Sequence, residues 1–480
     1  MLPEKYLYSL VTIVALLSAA CSKSDSEPHF IRTDLAEVTF RDSEPISVSV
    51  ESYPADWVVL PLNVDWLNAN KHDNSLVLTV LEDNLSSTDR STVVSLSAGN
   101  ASTNVVVYQL PADYDHDRYV SIPQFESAAI SPSGKFFGGY YATTQDNIFF
   151  SHVVAHNISS GQEIVWNNIP ESDMLPTSIA CVSDDGKVFV VDGMHGGIKI
   201  FDVNSPDSFT IANAGDYNPT TLFISQVTID NQSWVGYAGG QNTMFVPIQF
   251  LNGTLSELPM PELNFRGNPH ETGIMARGVS VDGEIVYGTV WDDNDFGMVY
   301  WDSHRNPYYV GERVFKPIKV KDPTSGEIFD YNLVDGMISW SGQYQVSHHG
   351  KYLAGTWRTE DLDDDNNTII SHYYPAFFNT QSGELSIFSE YGDASGMFVT
   401  DDGIGFIGSP HIMTSETFIV DINSRTSVGT LRDWVSENYN LYMSNGFLFY
   451  ITYETNILWG ATLTNDSSGI LSAPVWYILP

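Results

Sequence analysis

The chain has 480 residues, with 59 acidic against 21 basic side chains and a formal net charge of −38. Acidity of this degree repels phosphate backbones and excludes nucleic acid as an expected partner. Aromatic residues make up 13% and the charge is spread rather than gathered in a tail, which marks a folded chain long enough for two or three domains. The acidity itself suits a solvated extracellular surface; its functional counterpart is cation binding or repulsion of anionic ligands.

The chain opens with Lys5, an apolar stretch from Leu7 to Leu17, and the small residues Ser18, Ala19 and Ala20 ahead of Cys21. This run is shorter than the roughly 20 residues of a membrane-crossing helix, and its order is that of a cleaved signal peptide over residues 1–20. Leu17-Ser-Ala-Ala-Cys21 resembles the lipobox of bacterial lipoproteins, with the usual leucine displaced by one position. The polar Ser22-Lys-Ser-Asp-Ser-Glu27 resembles the export tag of surface-exposed lipoproteins. Together they imply lipidation at Cys21, a tether over 21–34, and a lipid anchor in the outer membrane with the protein facing the exterior. With Cys21 lipidated, Cys181 has no intramolecular partner; its apolar strand pattern predicts a buried small hydrophobe.

Residues 35–110 alternate apolar and polar side chains at period two, with strands expected at Val48–Glu51, Trp57–Leu60, Leu76–Val80, Thr92–Leu96 and Asn104–Tyr108. Short strands at this spacing suggest an immunoglobulin-like sandwich. Trp57, Asp65-Trp-Leu67, Leu76–Val80, Asn84, Arg90, Gly99 and Val105–Gln109 together resemble a BACON domain. The resemblance implies a surface protein that works among carbohydrates. Trp57 and Trp66 are expected in the core, with stacking on sugar as the alternative.

Residues 118–480 carry a repeat of about 50 residues, each unit an apolar strand, a tight turn and a second apolar strand. The turns are Ser131–Gly134, Ser183–Gly186, Thr228–Asn231, Ser280–Gly283, Ser347–Gly350, Thr400–Gly403 and Ser444-Asn-Gly446. Gly or Asn supplies positive φ, and Asp or Asn caps its own backbone. Two further strands per unit make four, the mark of a propeller blade, and seven turns predict seven blades. The pattern resembles bacterial propellers with repeated Ser-x-Asp-Gly turns. Insertions are expected at 316–335 and 359–371, and a short helix at Thr430–Asn438. The fold class is therefore all-β: a small BACON-like sandwich followed by a β-propeller.

Blade topology puts those turns on one face, here the turn face, and the loops between second and third strands on the other, the loop face. The loop face is expected to gather Tyr141, His195, Trp291, Asp292, Asp295, Trp357, Arg358, Glu454 and Asn456, with His270 and Glu271 from a blade-joining loop. Trp291 and Trp357 are read as equivalent positions of neighbouring blades. Aromatic rings suit the C–H faces of a sugar, and Asp, Arg and Glu suit its hydroxyls; packing between blades is the alternative for both tryptophans. Asp361, Asp363, Asp365 and Asn367 alternate as oxygen ligands of Ca²⁺ would, but lack the Gly and Glu of an EF-hand loop; a solvated acidic insertion is the alternative. No zinc helix, nucleophile elbow or phosphate loop is present. The sequence thus predicts a surface protein that binds a glycan or other nutrient beside an outer-membrane transporter. A carbohydrate-cleaving enzyme using carboxylates such as Asp292 or Glu271, and an envelope interaction scaffold, are the alternatives.

Overall fold

A computed structural model describes residues 29–40, 44–82, 84, 89–110, 118–122, 125–145, 148–170, 172–251, 253–292, 296–311, 316–322, 325–339, 344–363, 368–408, 417–441, 443, 446–461, 464–465, 471–472 and 475–480. The signal-like segment with Cys21, and Asp295, Asp365 and Asn367, lie outside the described residues. Among those described, no helix is long and apolar enough to cross a membrane. The chain divides into two compact units, 1–113 with 465–471 and 114–464 with 472–480.

The first unit holds two four-stranded sheets. One orders its strands Phe30–Thr33, Ile46–Tyr53, Ser75–Val80, Leu67–His72; the other Glu37–Phe40, Ala101–Gln109, Arg90–Ala98, Val58–Val59. Period-two alternation turns Val48, Leu76, Leu78, Val94, Leu96, Val105 and Val107 into one shared core. Trp57 and Trp66 belong to that core, at 1% and 5% exposure. Strand Leu67–His72 escaped the sequence because only Leu67 is fully buried along it, so no alternation shows.

The second unit is all-β apart from one α-helix and short 3-10 turns. Among the described residues it contains seven four-stranded antiparallel sheets, spanning 127–170, 176–211, 223–257, 274–309, 335–387, 395–430 and 447–478. The seventh takes as its outermost strand Tyr119–Ile122, from the start of the unit, paired with Val475–Ile478. Consecutive meanders closed by the first strand make a β-propeller. The insertion expected at 316–335 is a hairpin, Lys316–Lys321 with Ile328–Leu333; that at 359–371 extends the long hairpin Tyr352–Asp363 with Thr368–Asn379. The expected helix is Leu431–Tyr439, with the Thr430 side chain accepting from the Asp433 amide.

Each inner turn starts from a Ser or Thr. Ser131, Ser183, Ser280, Ser347, Thr400 and Thr452 each accept, on the side-chain oxygen, the amide of the residue that begins the second strand or immediately precedes it, at 2.9–3.1 Å. Thr228 instead donates to the Ser233 carbonyl at 2.9 Å. The preceding residue is always β-branched and buried: Ile130, Val182, Val227, Val279, Val346, Val399, Ile451. This corrects the seventh turn. The turn between Phe447–Ile451 and Leu458–Ala461 is Thr452–Asn456, and it contains no glycine; Glu454 and Asn456 supply the positive φ, 65° and 51°, while Ser444 and Asn445 of the expected turn lie outside the described residues. Glu454 and Asn456 therefore stand on the turn face rather than the loop face.

Just before these turns the pairing of first and second strands slips in five sheets, between Ile179/Cys181, Ile224/Gln226, Ala276/Gly278, Gly396/Phe398 and Leu448/Tyr450. Such bulges re-aim side chains. The middle of the ring is filled at this end. Tyr344, from the fifth sheet, donates to the Ile130 carbonyl of the first at 3.2 Å and stacks on Tyr450 of the seventh, ring centroids 4.5 Å apart. The Tyr287 hydroxyl accepts the buried Gln345 amide at 3.1 Å. A Cβ on Gly278 would lie 2.4 Å from the Tyr287 ring, so only glycine lets that tyrosine cross. Burial pushes the Cys181 thiol up, which keeps it an inert hydrophobe. Tyr287→Phe strips the Gln345 N–H of its acceptor and is expected to lower stability by about 1–3 kcal/mol, read as a lower urea midpoint at unchanged m-value.

Candidate functional site

On the loop face, two buried carboxylates hold the loops in place. Asp292 is 1% exposed. Its Oδ1 accepts the amides of Glu271, Thr272 and Gly273 at 3.1, 2.6 and 3.1 Å. Its Oδ2 lies 2.7 Å from His270 Nδ1, and His270 Nε2 faces the Pro261 carbonyl at 3.1 Å. Asp192 does the same work in the second sheet, accepting the amides of Leu175, Met194 and His195 and facing His195 Nδ1 at 3.0 Å. Burial opposes ionisation of both, but the hydrogen bonds from His and backbone amides outweigh it and hold both carboxyls below the ordinary range. Asp292 is thus a structural anchor, which corrects its place among the groups expected to meet ligand or do chemistry.

The anchored segment is stitched further, with the Phe245 amide donating to the Thr272 carbonyl at 2.8 Å and that of Trp291 to Gly273 at 2.9 Å. This sets the Trp291 ring at the rim, 39% exposed and edge-on to Phe296 at 4.8 Å. Beside it, Tyr237 stacks on Phe223 at 4.9 Å and meets Phe245 edge-on at 5.4 Å. Arg277 reaches between the two groups, its guanidinium carbon 5.6 Å from the Tyr237 ring centroid and 6.0 Å from that of Trp291. Met244 adds an apolar side chain, 65% exposed. This aromatic cluster between the third and fourth sheets is the candidate site. Arg277, Tyr237 and Phe223 were missed because they lie within strands, and only the slip in pairing at Arg277 singles it out.

Trp357 does not join this cluster. Val286 pairs with Val279, and Leu353 bridges Val346, so the counterpart of Trp357 is Val290, and that of Trp291 is Arg358. A one-residue offset reverses the face of a strand. Trp357 is accordingly 8% exposed and packed with Met298, Val310 and Met337. Arg358 is also engaged, pairing with the buried Glu360. Glu360 further accepts both terminal nitrogens of Arg266 at 3.1 and 3.2 Å, the Tyr331 hydroxyl at 3.2 Å and the Val334 amide at 3.2 Å. This network ties the hairpin ending in Leu333 to the fifth sheet. Arg358 is therefore corrected to a structural role.

Of the other expected residues, His195 has a side chain 44% exposed, Glu271 is exposed, and His270 is buried behind Asp292. Tyr141 stacks on His152 at 4.6 Å. Asp361 and Asp363 end one strand on a common face, Asp361 lying 3.7 Å from His372 Nε2. Among the described residues no group of three His, Cys, Asp or Glu is placed to hold a metal.

No family model and no curated protein matches the chain. Solved structures similar to it include polysaccharide lyase Uly1, at 11% identity over 73% of this chain and 89% of that one, TM-score 0.38. YCF48 from Cyanidioschyzon merolae shows 8% identity over 76% and 99%, TM-score 0.38. The β-propeller domain of the Trilobed protease from Pyrococcus furiosus shows 12% over 70% and 92%, TM-score 0.35. Likeness of this degree says nothing of ligand or activity.

A depressed carboxyl contributes stability that is full above its unfolded value, about 3.9, and is lost as pH falls through the folded one. Asp292→Asn is therefore expected to be less stable at pH 7, with its deficit narrowing below about pH 4, as followed by urea unfolding across pH. Glu360→Gln leaves two buried arginines without their carboxylate and is expected to cost about 3–5 kcal/mol in the same assay at pH 7.

Proposed function

We propose that the chain is a lipid-anchored outer-membrane protein, facing the exterior, that binds a glycan or other nutrient on the loop face of a seven-bladed propeller. In this reading the N-terminal unit is an immunoglobulin-like, BACON-like spacer, and the partner that receives the ligand is an outer-membrane transporter. The observation that carries binding is Trp291, an indole 39% exposed at the edge of an aromatic cluster, on a loop fixed by Asp292. A large apolar ring held out in water suits the C–H face of a sugar, and a mostly apolar site with a few polar groups is how ligand pockets are built. The tyrosines at the turn end support entry from the loop face alone. Binding is favoured over cleavage because Asp292, one of the two carboxylates expected for a hydrolytic site, is engaged by three amides and a histidine, which leaves Glu271 without it as a partner acid.

A glycan-array screen of residues 22–480, followed by chromatography of the sugars that bind, tests this reading. Binding without products is the expected result. Trp291→Ala is expected to weaken it about ten-fold, about 1.4 kcal/mol, at little cost in stability. Trp357→Ala is expected to behave oppositely, losing about 3–5 kcal/mol of stability with the site itself untouched. Silence across the array, or a Trp291→Ala protein that binds as well as its parent, overturns the proposal.

A further inference from the structure

Arg277 occupies an unusual position. It is the extra residue of the bulge in the fourth sheet; the extra residues of the other four bulges are Ala180, Ser225, Met397 and Phe449, none of them charged. Acidic residues outnumber basic ones 59 to 21, and five other arginines pair accordingly: Arg32 with Glu51, Arg90 with Glu82, Arg425 with Glu384, Arg266 and Arg358 with Glu360; Arg305 instead gives its donors to Gln249 and the carbonyls of Gly283, Glu284 and Asp302. Among the described residues no carboxylate pairs with Arg277, which lies over the rings of Tyr237 and Trp291 and within electrostatic reach of the buried Tyr287. Its side chain is partly buried, so part of its hydration is lost. Cation–π attraction offsets some of that loss, but rings do not take the five N–H donors of a guanidinium in its own plane.

From this we infer that Arg277 makes the site selective for an acidic saccharide, with a ring carboxylate received by the guanidinium and the sugar seated against Trp291. The inference rests on the saccharide-binding reading above. A guanidinium edge matches a carboxylate bidentately, and such charge-assisted pairs are the strong ones. Trp291 lies 6.0 Å from the guanidinium, close enough for one sugar residue to meet both. The net charge of −38 does not forbid an anionic ligand. At physiological ionic strength charges beyond about 8 Å are largely screened, so distant surface acids weigh little at Arg277. Asp292, the nearby buried carboxylate, faces His270 and the loop amides.

The test is titration calorimetry of residues 22–480 with oligogalacturonate and alginate oligomers, their carboxyl-reduced neutral derivatives, and a sulfated galactan oligomer. The acidic oligomer is expected to bind about ten-fold tighter than its reduced derivative. Arg277→Gln should abolish that preference, and Arg277→Lys, which keeps the charge but not the planar fork, should retain part of it. Thermal melting of both variants separates a folding defect from lost recognition. Equal affinity for acidic and reduced oligomers, or a preference that survives Arg277→Gln, overturns this inference while leaving saccharide binding intact. Tighter binding of the sulfated oligomer overturns the carboxylate assignment. Silence towards every oligomer, acidic and neutral, overturns the saccharide reading and this inference with it.

Discussion

A single side-chain hydroxyl at the start of each inner hairpin is the contact on which the propeller depends. In four of the turns it also donates to an aspartate two residues on, Asp185, Asp230, Asp282 or Asp402, so one oxygen joins the turn to its own acid and, in most sheets, to the amide beyond. Fixing that oxygen fixes the phase of the strand before it. The adjacent β-branched residue is sent into the packing between sheets, and the bulge one step earlier turns the next side chains towards the middle. Period-two geometry leaves no freedom once one residue is pinned.

That logic also explains what could be read from sequence. Six turns carried their Ser or Thr together with Gly or Asn in the expected place. The seventh kept the hydroxyl, Thr452, but used Glu454 and Asn456 for positive φ, and a search for glycine passed it over. The offset between Trp291 and Trp357 was invisible for a related reason. Without the pairing of Val346 with Leu353 there is no phase by which to count. In the first unit, the longer alternating strands Ile46–Tyr53, Ser75–Val80, Arg90–Ala98 and Ala101–Gln109 were legible, whereas the four-residue strands Phe30–Thr33 and Glu37–Phe40, too short to show a period, and the largely exposed Leu67–His72 were not.

Carboxylates in this chain are a poor guide to ligands. Many close turns by accepting hydrogen bonds, and Asp192 and Asp292 hold whole loops through backbone amides. No residue-type pattern separates these from carboxylates that meet a ligand, because the distinguishing feature is which N–H groups the fold brings within reach. Arginine is the more informative charge here. In a chain so rich in acids, contact with a carboxylate is a common outcome; among the described residues Arg305 pairs with none but is met by Gln249 and three carbonyls, whereas Arg277 has aromatic rings beside it.

Those surroundings follow from the same repeat. The bulge that places Arg277 is shared by five sheets, and in the other four it delivers small, apolar or aromatic side chains. At the turn end Tyr344 and Tyr450 stack across the middle of the ring, and Gly278 makes room for Tyr287. At the loop end Asp292 holds the segment that carries Trp291 to the rim. One end is filled by the chain's own side chains, while the other holds the partly exposed Trp291 indole beside the Arg277 guanidinium, which among the described residues meets no carboxylate. Recognition is therefore confined to the loop face by packing, and its chemistry is set there by a residue whose position was dictated by the turn beneath it.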